Sequence, residues 1–444
     1  MPHTNMTAKK LNANLFKNFS KLNREQRLLQ LIAMGALTAD DVNYLNTSVA
    51  QNITHLADQF IENAIGCYQL PLGIAAHFHI DGKDYAIPMA VEETSIIASA
   101  SAMAKWIKEC GEITTETKGT NIIGQIQIAK VRNLDQLKKT INECKQLLID
   151  SANQKVVPNF VARGGGVNDI TLRNIDRGDG QQMAIIHVHL NPCDAMGANV
   201  ITQVCEYLKS PIEKLTDEKV TMCILSNLAD TKLTRATVKI FNIDPDLGEK
   251  IAEASLFAEI DPYRAATHNK GVLNGIDPVL IATGNDWRAV EAGIHAYAAR
   301  DGQYRAITHW RMVGKDLIGT FEAPLIVGTV GGVTKLHPTA QLSLRILGVE
   351  SAEQLSRIAA AVGLLQNLGS IKALTTEGLI KGHMKLHIRN LLLAVNATQQ
   401  ELATLQKKAE SFFETHRKIT VSDVKKLLMQ LRNNSNGNIE IYSV

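Results

Sequence analysis

Four polar side chains interrupt apolar or small-residue stretches of the sequence: Glu93, Lys270, Asp286 and His383. Reduction of a carbonyl needs a cation or hydrogen-bond donors at the developing alkoxide and a source of protons. A lysine supplies the first, and a carboxyl held near a lysine and a second carboxylate can deliver protons at neutral pH. A histidine on a mobile segment can protonate a departing thiolate. Together the four residue types indicate reduction of a carbonyl that carries a thiolate leaving group.

Taken singly, each of the four has a simpler interpretation. Glu93 could be a favourable charge at a helix start, and Asp286 could cap a helix. Lys270 before a glycine is typical of a solvated loop charge, and His383 of a packed or surface histidine. Segment 270–293 carries Lys270 and Asp286 on an apolar, glycine-punctuated run that we interpret as buried. Burial of that pair would cost desolvation unless a network pairs the charges.

Composition narrows the class of protein. The 444 residues predict two or three domains, and 45% hydrophobic with 20% charged residues is typical of a folded soluble protein. The net charge of +3 is dispersed, which argues against nucleic-acid binding and against an anionic membrane surface. Without an apolar leader or spanning segment we expect a cytoplasmic protein. The six cysteines lack zinc spacing and predict reduced thiols and no metal site.

Periodicity predicts an α+β protein. A capped helix is expected over 23–35, a hairpin around Asp-Gly over 73–89 and a helix over 92–111. Segment 121–226 alternates as β-α-β-β-α-β, which is the ferredoxin-like arrangement. Further helices are predicted over 283–300 and 351–374, with a glycine hinge at Gly378 and Gly382 and a helical C-terminus.

Three glycine-rich stretches could bind phosphate. "DAMGANV" (194–200) follows a predicted strand and opens a predicted helix, so its small residues and Gly197 would let a phosphate approach the helix N-terminus. A tight strand-to-helix turn fits the same pattern equally well. "ARGGGVNDI" (162–170) and "GTVGGV" (328–333) leave the same two alternatives open.

The order of the motifs resembles 3-hydroxy-3-methylglutaryl-coenzyme A (HMG-CoA) reductase of the bacterial soluble type, class II, over residues 16 to 430. The resemblance rests on the following stretches: "ENAIG" (62–66), "PMAVEETSIIASAS" (88–101), "DAMGAN" (194–199), "ILSNLAD" (224–230), "KGVLNGID" and "ATGNDWRAVEAG" (270–293), "GTVGGVTKLHP" (328–338) and "EGLIKGHMKLHIRN" (377–390).

The resemblance implies NAD(P)H-dependent reduction of HMG-CoA to mevalonate and CoA through bound mevaldehyde, or the reverse. Lys270 would stabilise the oxyanions, Glu93 would donate a proton to mevaldehyde and Asp286 would tune both. His383, the histidine followed by Met, would protonate the CoA thiolate. Other residues carried over are Arg264, Asn274 and Lys21 for the substrate, and Asp194, Met196, Gly197, Ala198, Asn199, Val157 and Gly331 for the cofactor.

The resemblance also implies an architecture. A large helix-rich domain with a long central helix (1–115 and 227–375) would carry an inserted ferredoxin-like dinucleotide-binding domain (116–226). A C-terminal helical flap (376–444) would bring the histidine over the site. Active sites in this family are shared between subunits, so a homodimer or larger homo-oligomer is expected.

The sequence departs from the family pattern in places. "EET" replaces "EEP" and "ENAIG" replaces "ENVIG", while Glu93 is retained. Val157 stands where NAD-preferring members tend to have an acidic residue that holds the ribose 2′-hydroxyl. Because no carboxylate would repel a 2′-phosphate and Lys155 is close, NADPH is favoured, with NADH as the alternative.

Two other functions fit the same sequence. One is another CoA-thioester or hydroxyacid oxidoreductase on this scaffold. The other is a silent CoA-binding dimer, against which the presence of all four polar residues argues.

Overall fold

The computed structural model describes residues 16, 18–47, 56–376, 388, 390–392, 394–416 and 418–436. Contacts divide the chain into two compact units, one of 1–92 with 96–369 and one of 93–95 with 370–444. The predicted ferredoxin-like segment belongs to the first unit and is not separated from it. The four-part domain division therefore stays a prediction.

The elements follow the chain in mixed order. The helices are α1 (Arg24–Ala33), α2 (Ala39–Asn46), α3 (Ile96–Cys110), α4 (Leu134–Lys155), α5 (Pro158–Val161), α6 (Ala198–Thr216), α7 (Pro245–Ile260), α8 (Pro262–Ala282), α9 (Trp287–Ala298), α10 (Gly332–Leu336), α11 (Pro338–Leu347), α12 (Ala352–Thr375), α13 (Gln399–His416) and α14 (Val421–Asn436). The strands are β1 (Leu72–Ile80), β2 (Lys83–Ala90), β3 (Gly111–Lys118), β4 (Ile122–Ile128), β5 (Gly166–Asp176), β6 (Gln182–Asn191), β7 (Met222–Ser226), β8 (Leu233–Ile240), β9 (Thr308–Val313) and β10 (Asp316–Pro324).

The N-terminal predictions are confirmed. Asn23 caps α1 with a capping box, because its side chain accepts from the Gln26 N–H while the Gln26 side chain accepts from the Asn23 N–H. β1 and β2 form the expected antiparallel hairpin. Its turn residues Asp81 and Gly82 both have positive φ, 51° and 77°, as this tight hairpin turn requires.

The ferredoxin-like prediction is confirmed by the sheet. β4, α4, β5, β6, α6 and β7 follow one another, and the strand order β5-β6-β4-β7 is antiparallel throughout. Apolar residues of α4 and α6, such as Leu148 and Leu208, share one buried core with Ile126 of the sheet. The segment is an insertion, since β3 before it and β8 after it pair along their whole length.

The second four-stranded sheet, ordered β3-β8-β10-β9, belongs to the large part of the first unit. Alternate residues of β8 and β10 are buried, as expected for a sheet with one covered face. Trp310 and Phe321 are both fully buried on that face. This sheet, with α7, supports α8.

Helix α8 contradicts the simpler alternative for Lys270, a charge in a loop, because Lys270 lies inside the helix. The helix runs unbroken from Pro262 to Ala282 although it contains Gly271, Gly275 and Pro278. The physical reason is close packing: a Cβ on Gly275 would stand 2.8 Å from the Val362 carbonyl oxygen of α12. Glycine is retained there because the helix backbone needs that approach.

The C-terminal unit contains α13 and α14, which confirms the predicted helical C-terminus. Ala409, Leu405 and Val424 are buried in its own apolar core. The predicted hinge glycines Gly378 and Gly382 lie outside the described residues. The motif 328–338 contains a loop, the short helix α10 and the start of α11.

One helix of the described chain, α12, is long and apolar enough to cross a bilayer. In its most apolar window 67% is buried inside the protein. That burial is typical of the core helix of a folded domain.

Replacement of Gly275 by Ala should destabilise the protein despite the better helix propensity of alanine. Its Cβ would meet the Val362 carbonyl and the Gln366 Cβ at 2.8 Å each. We expect the free energy of unfolding to fall by about 1–3 kcal/mol, measured by denaturant titration. In the control Gly248→Ala the new Cβ meets mainly the flexible thioether of Met312, so the loss should be smaller. A more stable Gly275→Ala protein would contradict the close approach.

Candidate active site

Two buried polar residues directly before Lys270 in the chain fix the position of helix α8 by hydrogen bonds. Asn269 is fully buried, donates from Nδ2 to the Arg305 carbonyl at 2.8 Å and accepts at Oδ1 from the Ile307 N–H at 3.1 Å. Both bonds go to the chain segment before β9. They fix the rotation of α8 about its own axis, because any other rotation would leave a buried amide unpaired.

His268 adds a second set of buried bonds. Its Nε2 lies 2.5 Å from Thr308 Oγ1 and 3.2 Å from Asn367 Nδ2. Asn367 Oδ1 accepts from the Trp310 Nε1–H at 2.9 Å. Burial lowers the pKa of His268 to about 3, so the imidazole is neutral at physiological pH. The histidine is therefore a structural link between α8, β9 and α12.

Lys270 and Asn274 lie on one face of α8, since they are one turn apart. Lys270 is exposed and Asn274 half-buried. Pro278 has no N–H, so the Asn274 carbonyl cannot receive the usual helical hydrogen bond. Our interpretation that Lys270 and Asp286 are buried is wrong for this chain, because both are exposed.

Asp286 begins α9 as its N-cap. Its Oδ1 accepts from the Ala289 N–H at 3.1 Å, the capping role that the sequence left open. The Arg288 Nε lies 3.7 Å from the same oxygen. The carboxylate is 43% exposed, so it keeps a face for other partners. Arg288 was missed by sequence reasoning.

The turn that carries Asp286 is bonded to one glycine-rich motif, and that motif is bonded to a second. The Gly328 N–H donates to Asn285 Oδ1 at 2.7 Å, and the Thr329 N–H donates to the Asp194 carbonyl at 2.9 Å. A Cβ on Gly328 would stand 2.7 Å from the Met196 nitrogen. The structure thus brings together 194–199, 283–286 and 328–331, which are far apart in sequence.

A cavity of about 310 Å³ opens at this junction. Its lining residues are Met196, Ala198, Leu225, Asn227, Asp286, Arg288 and Ala289. Asn227 belongs to the quoted "ILSNLAD" stretch, but we assigned it no role from the sequence. The cavity places part of the predicted phosphate-binding turn beside the predicted catalytic carboxylate Asp286.

The other residues of the "DAMGAN" turn have distinct environments. Gly197 is buried, has φ +86° and precedes α6, whose N-terminus has no side-chain cap. Asn199 is exposed. Gly331 is also exposed, with φ +85° at the start of α10. An uncapped helix N-terminus beside a cavity can accept a phosphate.

Asp194 has a structural bond that the sequence did not indicate. Its Oδ1 accepts from the Ala352 N–H at 2.9 Å, in the first turn of the central helix α12. Ser351 Oγ accepts from the Gln354 N–H in the same turn. Burial lowers the pKa of nearby Lys232, and the Asp194 charge opposes that shift. Asp194 therefore joins the turn to α12.

The side chain of Val157 is buried. It is 1% exposed and belongs to the apolar core of the ferredoxin-like segment. The assignment of Val157 as a cofactor-binding residue stays a prediction. Lys155 and Arg163, on either side of α5, are exposed.

The remaining predicted site residues are not among those that line the cavity. Arg264 is in the first turn of α8, where burial lowers the pKa of its guanidinium. Lys21 is exposed at the end of a one-turn 3-10 helix anchored by buried Phe19. Glu93 is exposed and groups with the C-terminal unit. His383 lies outside the described residues.

Comparison with known proteins decides the family. The model of the hydroxymethylglutaryl-coenzyme A reductase family matches residues 23–388. A 3-hydroxy-3-methylglutaryl-coenzyme A reductase of Archaeoglobus fulgidus is 45% identical over 390 residues, which are 86% of this chain and 88% of that protein. The chain belongs to the hydroxymethylglutaryl-coenzyme A reductase family.

Solved structures agree with this membership. A class II HMG-CoA reductase of Streptococcus pneumoniae bound to NADPH in open conformations matches with TM-score 0.78 and 37% identity, over 81% of this chain and 100% of that chain. Another structure of the S. pneumoniae reductase matches with TM-score 0.79 and 36% identity, over 94% and 99%. The class II resemblance and the mixed fold are confirmed, and the chain is an oxidoreductase of this family.

Asp194→Ala should destabilise the protein by removing an acceptor at the start of α12. Loss of such a cap typically costs about 0.5–2 kcal/mol, which denaturant unfolding would measure. Asp194→Asn keeps an acceptor oxygen and should lose less stability. If Asp194→Ala unfolded like wild type, the bond to Ala352 would contribute nothing to stability.

Proposed function

We propose that the chain reduces HMG-CoA to mevalonate and free CoA, with NADPH as the favoured cofactor and NADH as the alternative. The observation that carries the proposal is the junction of three motifs around one cavity, lined by Met196, Ala198 and Asp286. A carboxylate beside an uncapped helix N-terminus suits a nicotinamide dinucleotide whose phosphates sit at the helix and whose reactive ring lies near the acid–base groups.

The residues present fit a dinucleotide. Met196 and Gly197 precede α6, Ala198 and Asn199 begin it, and within the described part of the chain no N-cap side chain is bonded to the first N–H groups of that helix. Gly331 would let the neighbouring loop approach the cofactor. When bound, the cofactor supplies two hydrides in succession.

Lys270, Asn274 and Asp286 would act on the substrate carbonyl. The ammonium of Lys270 would stabilise the oxyanion of the thioester and later that of mevaldehyde. Asn274 would orient the network from the same face of α8. Asp286 would keep Lys270 charged and bias proton delivery from Glu93, because a carboxylate near both groups favours the lysine cation and opposes ionisation of the glutamate.

Proton balance assigns the other roles. Thioester reduction releases a CoA thiolate, which His383 would protonate, and aldehyde reduction forms an alkoxide, which Glu93 would protonate. The reaction consumes HMG-CoA, two hydrides and two protons and yields mevalonate and CoA. Arg264 would bind the HMG carboxylate, since a guanidinium matches a carboxylate. Lys21 would contact the anionic CoA.

Cofactor preference rests on charge. Exposed Lys155 and Arg163 flank α5 and would attract a ribose 2′-phosphate, while the Val157 side chain offers no carboxylate to repel it. NADPH preference supports the biosynthetic direction of the reaction. The S. pneumoniae relative that binds NADPH is consistent with this assignment.

We further propose a cytoplasmic homodimer or larger homo-oligomer in which subunits share active sites. No observation favours either a different CoA-thioester oxidoreductase or a silent CoA-binding dimer.

The first test is the oxidation of NADPH and NADH, followed separately by absorbance with HMG-CoA as substrate. We expect mevalonate and free CoA as products and a higher kcat/KM with NADPH, because of the cationic groups beside α5. A preference for NADH would retain the reaction and overturn the charge argument. Folded protein that oxidises neither cofactor would overturn the proposed function.

Asp286→Asn should separate chemistry from helix capping. Asparagine caps helices as well as aspartate does, so the free energy of unfolding should be unchanged, while loss of the charge should lower kcat by about 10²-fold or more.

Lys270→Ala should lower turnover of both HMG-CoA and mevaldehyde in folded protein. Near-normal rates for either variant would remove that residue from the mechanism.

A further inference from the structure

A second cavity lies on the sheet ordered β3-β8-β10-β9. Its volume is about 270 Å³, and its lining residues are Arg235, Arg300, Ala306, Ile307, His309, Thr320 and Glu322. Among the described residues, this cavity and the one beside Asp286 have no lining residue in common. Arg300 follows the C-terminal end of the 12-residue helix α9, and Asp286 caps its other end. A helix of that length separates its ends by roughly 18 Å, so the second cavity is distinct from the proposed active site.

The register of the sheet places four of the lining side chains on one face. Arg235 of β8 lies opposite Glu322 of β10, and Thr320 of β10 lies opposite His309 of β9. Residues opposite each other in register share a face, as do residues two apart on a strand. Phe321, between Thr320 and Glu322, is fully buried on the other face. The strands therefore fix the spacing of the polar groups in this cavity.

The acidic residue of the lining, Glu322, already has its partners. Its Oε1 accepts from the Tyr297 hydroxyl at 3.0 Å, and its Oε2 accepts from the Lys118 ammonium at 3.0 Å. The charge of this carboxylate is thus balanced by Lys118. Arg235 and Arg300 remain as positive charges in the lining that Glu322 does not bond.

Neither guanidinium of the lining is hydrogen-bonded to a carboxylate among the described residues. The Arg235 Nη1 lies 3.7 Å from Glu116 Oε1, which is too long for a hydrogen bond. Arg300 stacks on the Tyr297 ring at 3.9 Å and donates from Nη1 to the Tyr297 carbonyl at 2.8 Å, while its Nε lies 4.0 Å from Asp301 Oδ2. Two like charges on one cavity repel each other, and an anion between them would remove that repulsion.

We propose that this cavity binds a phosphate group between Arg235 and Arg300, with the Thr320 hydroxyl as a further donor. Guanidinium groups match phosphate oxygens with paired N–H donors, and two of them with a hydroxyl offer more donors than one carboxylate can accept. The volume is below the ~300–1,000 Å³ of pockets that enclose larger ligands. The ligand is therefore inorganic phosphate or the phosphate end of a larger molecule.

Titration of the intact protein with inorganic phosphate at low ionic strength, followed by calorimetry, tests the site. Wild type should bind phosphate, and Arg235→Ala and Arg300→Ala should each raise Kd at least about tenfold, because each removes one of two charge-assisted contacts. Arg235→Lys keeps the charge but loses the paired donors, so its Kd should be intermediate. Arg132→Ala is the matched control, an exposed arginine that pairs with Asp217 at 3.0 Å, and it should leave Kd unchanged.

Failure of wild type to bind phosphate would overturn the proposal. Binding that both folded arginine variants retain unchanged would also overturn it, because the phosphate would then occupy another site. A repeat of the titration with saturating CoA or NADPH identifies the source of the phosphate: competition assigns it to that molecule, and unchanged binding assigns it to free phosphate. Binding is measured without turnover, so the result does not depend on whether the chain reduces HMG-CoA.

Discussion

The close contact between α8 and α12 is the constraint on which the rest of the site depends. Gly275 of α8 and Gly363 of α12 both face the other helix so closely that a Cβ at either would stand 2.7–2.8 Å from its nearest neighbour. Asn367 of α12 bonds His268 of α8 in the same interface. Small residues permit this approach, and the buried hydrogen bonds select one rotation, because another would leave several polar groups unpaired.

That single rotation decides what α8 presents to the site. With His268 and Asn269 committed to the interior, Lys270 is left exposed and Asn274 and Asp277 align beneath it. The following turn is equally constrained, since Asn285 Nδ2 donates to Thr283 Oγ1 and Asn285 Oδ1 accepts from the Gly328 N–H. Buried packing and hydrogen bonds therefore determine the positions of the predicted catalytic residues on α8 and α9. Local helix propensity contributes little to these positions.

Local signals explain which parts of the fold could be predicted. The Asp81-Gly82 hairpin and the alternation over 121–226 depend on turn chemistry and side-chain period, which neighbouring residues reveal. The sequence did not predict helix α8 as a helix, because glycine and proline have low helix propensity. Packing against α12 stabilises the helix despite these residues. Asp194 accepts a hydrogen bond from Ala352, which is distant in sequence, and Val157 is buried by residues that are also distant in sequence. No local sequence pattern could therefore indicate either feature.

Carboxyl groups of similar intrinsic acidity acquire different tasks in this structure from their surroundings alone. Asp194 accepts a backbone N–H at the start of α12, and Asp286 caps α9 while remaining partly open to the cavity. Burial first, and then the neighbouring charge of Glu291, raise the pKa of half-buried Asp277 to about 8, which favours its neutral form. A motif can identify an aspartate as belonging to a reductase, but whether that aspartate is a cap, a charge or a proton donor is decided by its hydrogen-bond partners and its access to water. The motifs gave Asp194 a role in cofactor binding and Asp286 a role in catalysis, and they gave Asp277 none, because the burial that raises its pKa arises from packing and not from its sequence neighbours.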